Sequence, residues 1–128
     1  MISMQHVVSA CVCALTAAVA SAGALDECMI RGDQTAVTRC LVEADNDAQA
    51  AMNKAEGSAG KLARDIDTAT GRPGAAAALA KSMRAFTDYR KAQCDYVKAL
   101  YASGAGADQG ALGCRVDMTR RRVRDLQN

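Results

Sequence analysis

The sequence predicts an all-α protein: an antiparallel helical hairpin or three-helix bundle with one long N-terminal helix, stapled by two disulfides. Only 3% of the 128 residues are aromatic, one is proline, and much of the apolar half of the composition is alanine, which favours helices. Apolar residues recur every three or four positions in three segments, and no segment alternates with a period of two. Because alanine buries little area, we expect a thin core.

A long first helix is predicted by a single apolar stripe whose steps alternate between three and four residues. Such a helix is about 50 Å long. Thr35 is the expected N-cap, with Asp33 as the alternative, and the Gly-Arg-Pro-Gly run at 71–74 ends the helix. Gly57 and Gly60 lie inside it and mark either a bend or the close approach of another backbone. The stripe consists of Val37, Leu41, Ala44, Ala48, Met52, Ala55, Ala59, Leu62, Ile66 and Ala69.

Two further helices follow, joined by a turn of small residues at 103–107. The second is predicted from about Ala75 to Ala102, and Asp108 is the expected cap of the third. Short connections make consecutive helices antiparallel neighbours. The stripe of the second helix is Leu79, Met83, Phe86, Arg90, Cys94, Val97 and Tyr101, and that of the third is Leu112, Val116, Thr119, Val123 and Leu126.

The first 24 residues carry no Lys, Arg, Asp or Glu and are predicted to be a signal peptide. An apolar run from Val7 to Ala20 ends in small residues, which predicts cleavage after Ala22 or Ala24 and leaves 25–128 as one helical domain. The run is too short to span a bilayer, so we expect no stable membrane insertion. A lipid anchor on Cys11 is the alternative, but its leader has only ten residues. We therefore expect an exported protein, periplasmic or extracellular.

Four cysteines remain after cleavage, and an even number in a small exported protein predicts two disulfides. Cys94 and Cys114 lie level across the second turn, which favours their pairing and leaves Cys28 for Cys40. The competing set joins Cys40 to Cys94 and Cys28 to Cys114. The only histidine is His6, within the leader, so we expect no metal site.

No catalytic or nucleic-acid-binding pattern emerges from the composition or the motifs. The net charge of +2 and the lack of an aromatic-rich basic patch argue against nucleic acid. The mature chain offers no Ser-His or Cys-His pair and no phosphate-binding glycine loop after a strand. We therefore expect neither an enzyme nor a cofactor.

The charge distribution divides the chain into an acidic and a basic half. Residues 25–72 carry a net charge of −3 and residues 73–128 a net charge of +5. Either the two halves lie beside each other, or the charges decorate solvated faces.

Arg90 interrupts the apolar stripe of the second helix. We expect it to be half-buried and paired with helix-end carbonyls or with a carboxylate. The carboxylates considered are Asp26, Glu27 and Glu43. The three tyrosines, Tyr89, Tyr96 and Tyr101, are expected to be packing residues rather than a stacking platform, and Phe86 and Tyr89 join Arg90 as structural residues.

A motif covers the second and third helices: Phe86-x-x-Tyr89-Arg90-x-x-x-Cys94, a glycine-rich turn, then Cys114 and Met118-Thr119-Arg120-x-Arg122. With Cys28 and Cys40 upstream, it resembles the N-terminal domain of the LprI-like lysozyme inhibitor family over roughly 26–127. The sequence departs from that family's pattern where Phe86 replaces a usual Trp, Met118 replaces Leu, and Arg115 replaces the Leu after the cysteine. The resemblance implies an exported helical domain with paired cysteines that inhibits lysozyme or a related peptidoglycan hydrolase by binding and blocking it.

Two surfaces are candidates for such an interaction. One is the second turn with the basic end of the third helix, because a basic side chain suits the two catalytic carboxyl groups of a lysozyme cleft. The other is an acidic surface on the first helix, formed by Glu43, Asp45, Asp47 and Glu56, and the two surfaces imply opposite effects of salt. The favoured partner-binding residues are Ser103, Gly104, Asp108, Arg115, Arg121 and Arg124.

Other functions share the same sequence features. The chain also fits a periplasmic accessory or structural protein, or an immunity protein against a delivered cell-wall hydrolase. An uncovered part of the long apolar stripe makes a homodimer possible.

Overall fold

The computed structural model describes residues 23–128, which form four helices: α1 (Ala24–Met29), α2 (Gln34–Thr70), α3 (Ala75–Leu100) and α4 (Ala105–Gln127). No strand occurs in this range, and the prediction of an all-α fold with one long N-terminal helix is confirmed. The predicted leader, apart from its last two residues, lies outside the described residues.

The three long helices run up, down and up, and α1 packs across α2 and α4. Gln109 near the start of α4 donates to the Gln34 carbonyl at the start of α2, whereas Leu126 at the end of α4 lies beside Ala59 and Leu62. At 1.5 Å per residue, α2 is about 55 Å long. Residues 63–78, at the far end of the α2–α3 hairpin, therefore extend beyond α4, and we call them the arm.

The core is thin, as the alanine content predicted. Its central cluster consists of Ala24, Cys28, Val37, Leu41, Ala48 and Val116. Leu41, Val116, Thr119 and Cys28 are the largest fully buried side chains. Few large apolar groups are buried, so hydrophobic burial contributes less stability than in a leucine-rich core.

Both disulfides follow the favoured prediction, and the competing set is wrong. Cys28 joins Cys40, with a Cα–Cα distance of 5.6 Å, and Cys94 joins Cys114 at the same distance. The first disulfide holds α1 against α2, and the second holds α3 against α4.

Two predicted helix starts are corrected. Asp33, not Thr35, caps α2, because its backbone is extended and its Oδ1 accepts from the Ala36 N–H at 2.9 Å. Asp108 does not cap α4: the helix already begins at Ala105 after Gly104, whose φ is 97°, and Asp108 lies in its first turn. The end of α3 also moves, from Ala102 to Leu100.

The turn between α2 and α3 occurs where the sequence predicted it. Gly71 ends α2 in the left-handed conformation, with φ of 63°. Asp67 then caps α3 from the preceding helix, accepting from the N–H groups of Gly74, Ala75 and Ala76 at 3.1, 2.8 and 3.1 Å. These bonds, with those of Ala76 and Ala75 foremost, lower the pKa of Asp67, because they favour the charged carboxylate.

Three glycines on one face of α4 explain how α1 and Tyr101 approach it. A Cβ at Gly113 would lie 3.0 Å from Leu25 Cβ and 3.3 Å from the Leu25 nitrogen, and one at Gly110 would lie 2.6 Å from the ring of Tyr101. Gly106 continues the same stripe under Tyr101. In α2, by contrast, a Cβ at Gly57 would meet nothing and one at Gly60 would meet only the Arg64 side chain at 3.3 Å. Of the two interpretations of Gly57 and Gly60, the close approach of another backbone is therefore wrong.

Candidate functional site

Two turns lie at the same end of the bundle, which we call the loop end: Met29–Asp33 between α1 and α2, and Tyr101–Gly104 between α3 and α4. This end exposes several large apolar side chains to solvent. They are Met29, Ile30, Tyr96, Leu100 and Tyr101.

The Met29–Asp33 turn is held at both ends. Cys28 precedes it and is disulfide-bonded to Cys40, and the Arg31 N–H donates to the Cys28 carbonyl at 2.9 Å. Gly32 turns the chain with φ of 103°, and Asp33 then caps α2. At the tip, Ile30 is 84% exposed and Met29 60%. This turn was not predicted as a binding surface, although two adjacent apolar residues between a cysteine and Gly32-Asp33 are visible in the sequence.

Three of the predicted partner-binding residues lie together in the Tyr101–Gly104 turn and the first turn of α4 that follows it. Ser103 and Gly104 are exposed, and Asp108 pairs with Lys98 of α3 at 2.6 Å. The hydrogen bond to Asp108 raises the pKa of Lys98. Ala102 adopts φ of +61°, a conformation that alanine rarely takes, so the backbone of this turn is strained.

The structure does not bring the predicted arginines to that turn. Arg115 lies midway along α4 and makes a two-pronged pair with Asp45, with Nε–Oδ1 2.8 Å and Nη2–Oδ2 2.6 Å. Arg121 and Arg124 are exposed and form no ion pair within residues 23–128. Arg121 lies roughly 25 Å along α4 from Gly104. The six predicted residues therefore occupy three separate places.

Arg90 connects the three long helices through neutral partners. Its Nη1 donates to Thr119 Oγ1 at 2.7 Å and to Gln49 Oε1 at 3.3 Å, and its guanidinium lies 5.4 Å from the centre of the Phe86 ring. The expected carboxylate partner is wrong: Glu27 pairs with Arg120 instead, at 2.9 Å. Burial, followed by repulsion from Arg115, lowers the pKa of Arg90.

The tyrosines are more exposed than expected. Tyr89 is 61% and Tyr96 58% exposed, so neither is a core packing residue. Tyr89 borders a groove between α3 and α4 together with Phe86, Asp117 and Arg121. The ring of Tyr101 lies against α4, over Gly110.

The acidic and basic halves of the chain do meet. Asp45 and Glu27, both from the acidic half, pair with Arg115 and Arg120 of the basic half. This supports the first of the two interpretations of the charge distribution. Within residues 23–128 it leaves Arg121 and Arg124 as the basic residues of α4 that are exposed and form no ion pair.

Between 23 and 128 no group of three or more His, Cys, Asp or Glu side chains is placed to hold a metal ion. Among the four helices, none is long and apolar enough to cross a membrane.

Comparison with known proteins gives one match. The family model described as "Lysozyme inhibitor LprI" matches residues 27–126, which covers most of the chain and nearly all of the helical bundle. No curated protein and no solved structure is significantly similar to the chain.

Proposed function

This chain belongs to the LprI lysozyme inhibitor family, and on that premise we propose that it is an exported inhibitor that binds and blocks lysozyme or a related peptidoglycan hydrolase. The observation that carries the proposal is the family match over residues 27–126. The structure supports it with a disulfide-held bundle whose loop end offers exposed apolar residues on short turns.

Blocking a lysozyme requires little chemistry from the inhibitor. The enzyme cleaves its substrate between two carboxyl groups in a cleft, so a rigid protein that covers or enters that cleft is sufficient. Exposed, preorganised turns suit this task because they lose little conformational freedom on binding.

The experiment is a cell-wall lysis assay. The oxidised protein spanning residues 23–128 is titrated against animal, phage and bacterial lysozymes. We expect saturable inhibition near a one-to-one ratio for at least one of them. If the folded, disulfide-bonded protein inhibits no lysozyme, the proposal is wrong, and an accessory or immunity role becomes the leading hypothesis. The effect of salt on inhibition distinguishes binding through Arg121 and Arg124 from binding through Glu43 and Asp47.

We also propose that the leader is removed after Ala22. Two small-residue motifs precede possible cleavage points: Ala20-Ser21-Ala22 before Gly23, and Ala22-Gly23-Ala24 before Leu25. Cleavage after Ala24 deletes a core residue, since Ala24 is fully buried and its N–H donates to Asp117 Oδ1 at 2.9 Å. The intact mass of the exported protein tests this: a chain that starts at Gly23 agrees, and one that starts at Leu25 contradicts it.

The homodimer stays a prediction. Leu62, just before the arm, and Ile66, within it, are both exposed on α2. They form the apolar surface that such a dimer would use. Sedimentation equilibrium of the oxidised protein, with Leu62→Ser as the comparison, measures it directly.

A further inference from the structure

We infer that the Met29–Asp33 turn is the segment that enters the substrate cleft of the inhibited hydrolase, with Ile30 and Arg31 at its tip. This inference rests on the proposed function and names the surface that performs it. It differs from the sequence prediction, which favoured the α3–α4 turn and the basic end of α4.

Exposure is the first argument. Ile30, at 84%, is the most exposed large apolar side chain in the described part of the chain, and the adjacent Met29 is 60% exposed. A single exposed apolar residue is ordinary. Ile30 and the adjacent Met29 at the end of α1 form an apolar patch, and exposed apolar patches mark interaction sites.

Rigidity is the second argument. The turn spans only the residues between Cys28, fixed to α2 through Cys40, and Asp33, fixed to α2 through its cap on Ala36. Backbone bonds from Arg31 and Gly32 to the end of α1 close it from within. The turn is therefore ordered before binding, which lowers the entropic cost of association.

Charge is the third argument. A lysozyme cleft holds two carboxyl groups, and a guanidinium matches a carboxylate with two parallel hydrogen bonds. Arg31 is exposed and has no ion pair within residues 23–128. Arg115 and Arg120 are already paired with Asp45 and Glu27, so their charges are largely neutralised.

Shape separates this turn from the other candidates. Arg121 and Arg124 are also unpaired, but they lie on the side of a continuous helix, which reaches the rim of a cleft and not its floor. In the Tyr101–Gly104 turn, the ring of Tyr101 packs against Gly110. The other residues of that turn, Ala102, Ser103 and Gly104, have small side chains or none. Among the turns between residues 23 and 128, only Met29–Asp33 combines projection, apolar area and a positive charge without an ion pair.

The test uses the lysozyme that the unmodified protein inhibits most strongly. We expect Ile30→Ser and Arg31→Glu each to raise the inhibition constant at least tenfold. Matched controls lie at the opposite end of the molecule: Ile66→Ser, also an exposed isoleucine, and Arg72→Glu, also an exposed turn arginine. Both controls should inhibit as the unmodified protein does. Circular dichroism and thermal unfolding establish that all four variants are folded.

A second measurement asks whether the turn occupies the cleft. Soluble peptidoglycan fragments, which must span the two catalytic carboxyl groups to be cleaved, should compete with the inhibitor, so the apparent inhibition constant should rise as their concentration rises. The inference is overturned if Ile30→Ser and Arg31→Glu inhibit undiminished, or if the apparent inhibition constant does not change with substrate concentration; the proposed function then stands without it. If the unmodified protein inhibits no lysozyme, both fail.

Discussion

Arg90 shows how a polar residue is accommodated in a core built largely of alanine. The guanidinium stays charged despite its lowered pKa, so its donors need acceptors inside the bundle. Thr119 supplies one: it is 1% exposed, accepts from Arg90 and donates to the Arg115 carbonyl at 2.7 Å. An arginine in an apolar stripe is visible in the sequence. Its partners are not, because they depend on the relative register of three helices.

We predict that Thr119→Val destabilises the protein by about 1–3 kcal/mol, because Arg90 then loses its shortest hydrogen bond in a partly buried place. Urea unfolding at neutral pH measures the change. Thr87→Val is the matched control, since Thr87 also donates to the carbonyl four residues earlier, that of Met83 at 3.1 Å, but is exposed. Equal losses in the two variants would contradict a role for the Arg90 bond.

At the scale of the elements, periodicity predicted the three long helices, and their ends depended on single residues. The Gly-Arg-Pro-Gly run ended α2 as expected. The starts were harder to predict. Asp33 and Thr35 both have side chains that can cap α2. Asp108 also has a capping side chain, but α4 begins before it, after Gly104. Helix α1 was missed because six residues carry no measurable period and follow directly on the predicted leader.

Replacing a helical glycine by alanine should have opposite effects on stability in α4 and in α2. Gly113→Ala should destabilise the protein by roughly 1 kcal/mol, because crowding against Leu25 costs about 1–3 kcal/mol and the gain in helix propensity offsets up to about 1 kcal/mol. Gly57→Ala should stabilise it by up to about 1 kcal/mol, because no neighbour lies within 4 Å of the added methyl group. Thermal and urea unfolding of the two variants measure these changes. If both variants gain stability or both lose it, the prediction is wrong.

The Asp67 cap on α3 makes stability depend on pH in a defined direction. Its folded pKa is lowered from an unfolded value of about 3.9, so the unfolded chain takes up the proton first as the pH falls. The stabilisation is therefore complete at neutral pH and is lost below about pH 4. Asp67→Ala should lower the Tm at pH 7, and the difference from the unmodified protein should shrink as the pH falls through the lowered pKa.

Asp65→Ala is the control for the Asp67 prediction. Asp65 pairs only with Lys61 of its own helix, at 2.7 Å, and both side chains are largely exposed. Such a pair contributes little, so its loss should leave the Tm nearly unchanged. A Tm difference for Asp67→Ala that is constant between pH 3 and pH 7 would contradict the cap.

For the whole molecule, the thin core makes the disulfides a large part of the stability. The entropy model assigns each about 3 kcal/mol for loops closed over sequence separations of 12 and 20. We predict that replacing Cys94 and Cys114 by serine destabilises the bundle by about 3 kcal/mol in urea unfolding. Replacing Cys28 and Cys40 should mainly release α1, seen as faster hydrogen exchange of α1 amides than of α4 amides. Equal exchange in both helices would contradict this division.

The candidate site shows what the sequence predicts at this scale and what it does not. Exposure of Arg121 and Arg124 follows from their positions off the apolar stripe of α4, and it was expected. The pairing of Arg115 with Asp45 was not, because it joins residues 70 apart in the chain. The exposure of Ile30 was not predicted either, because only the folded chain shows that no neighbour covers it.

Each disulfide joins two cysteines that are neighbours in the order of the four, Cys28 with Cys40 and Cys94 with Cys114. When such a chain crosses a membrane N-terminus first, the second cysteine of each native pair is the next of the four to emerge after the first. An oxidase that links thiols in order of appearance therefore produces the native pairing directly. If the chain is exported as proposed, it can therefore reach its final covalent state during translocation, without an enzyme that reshuffles mistaken bonds.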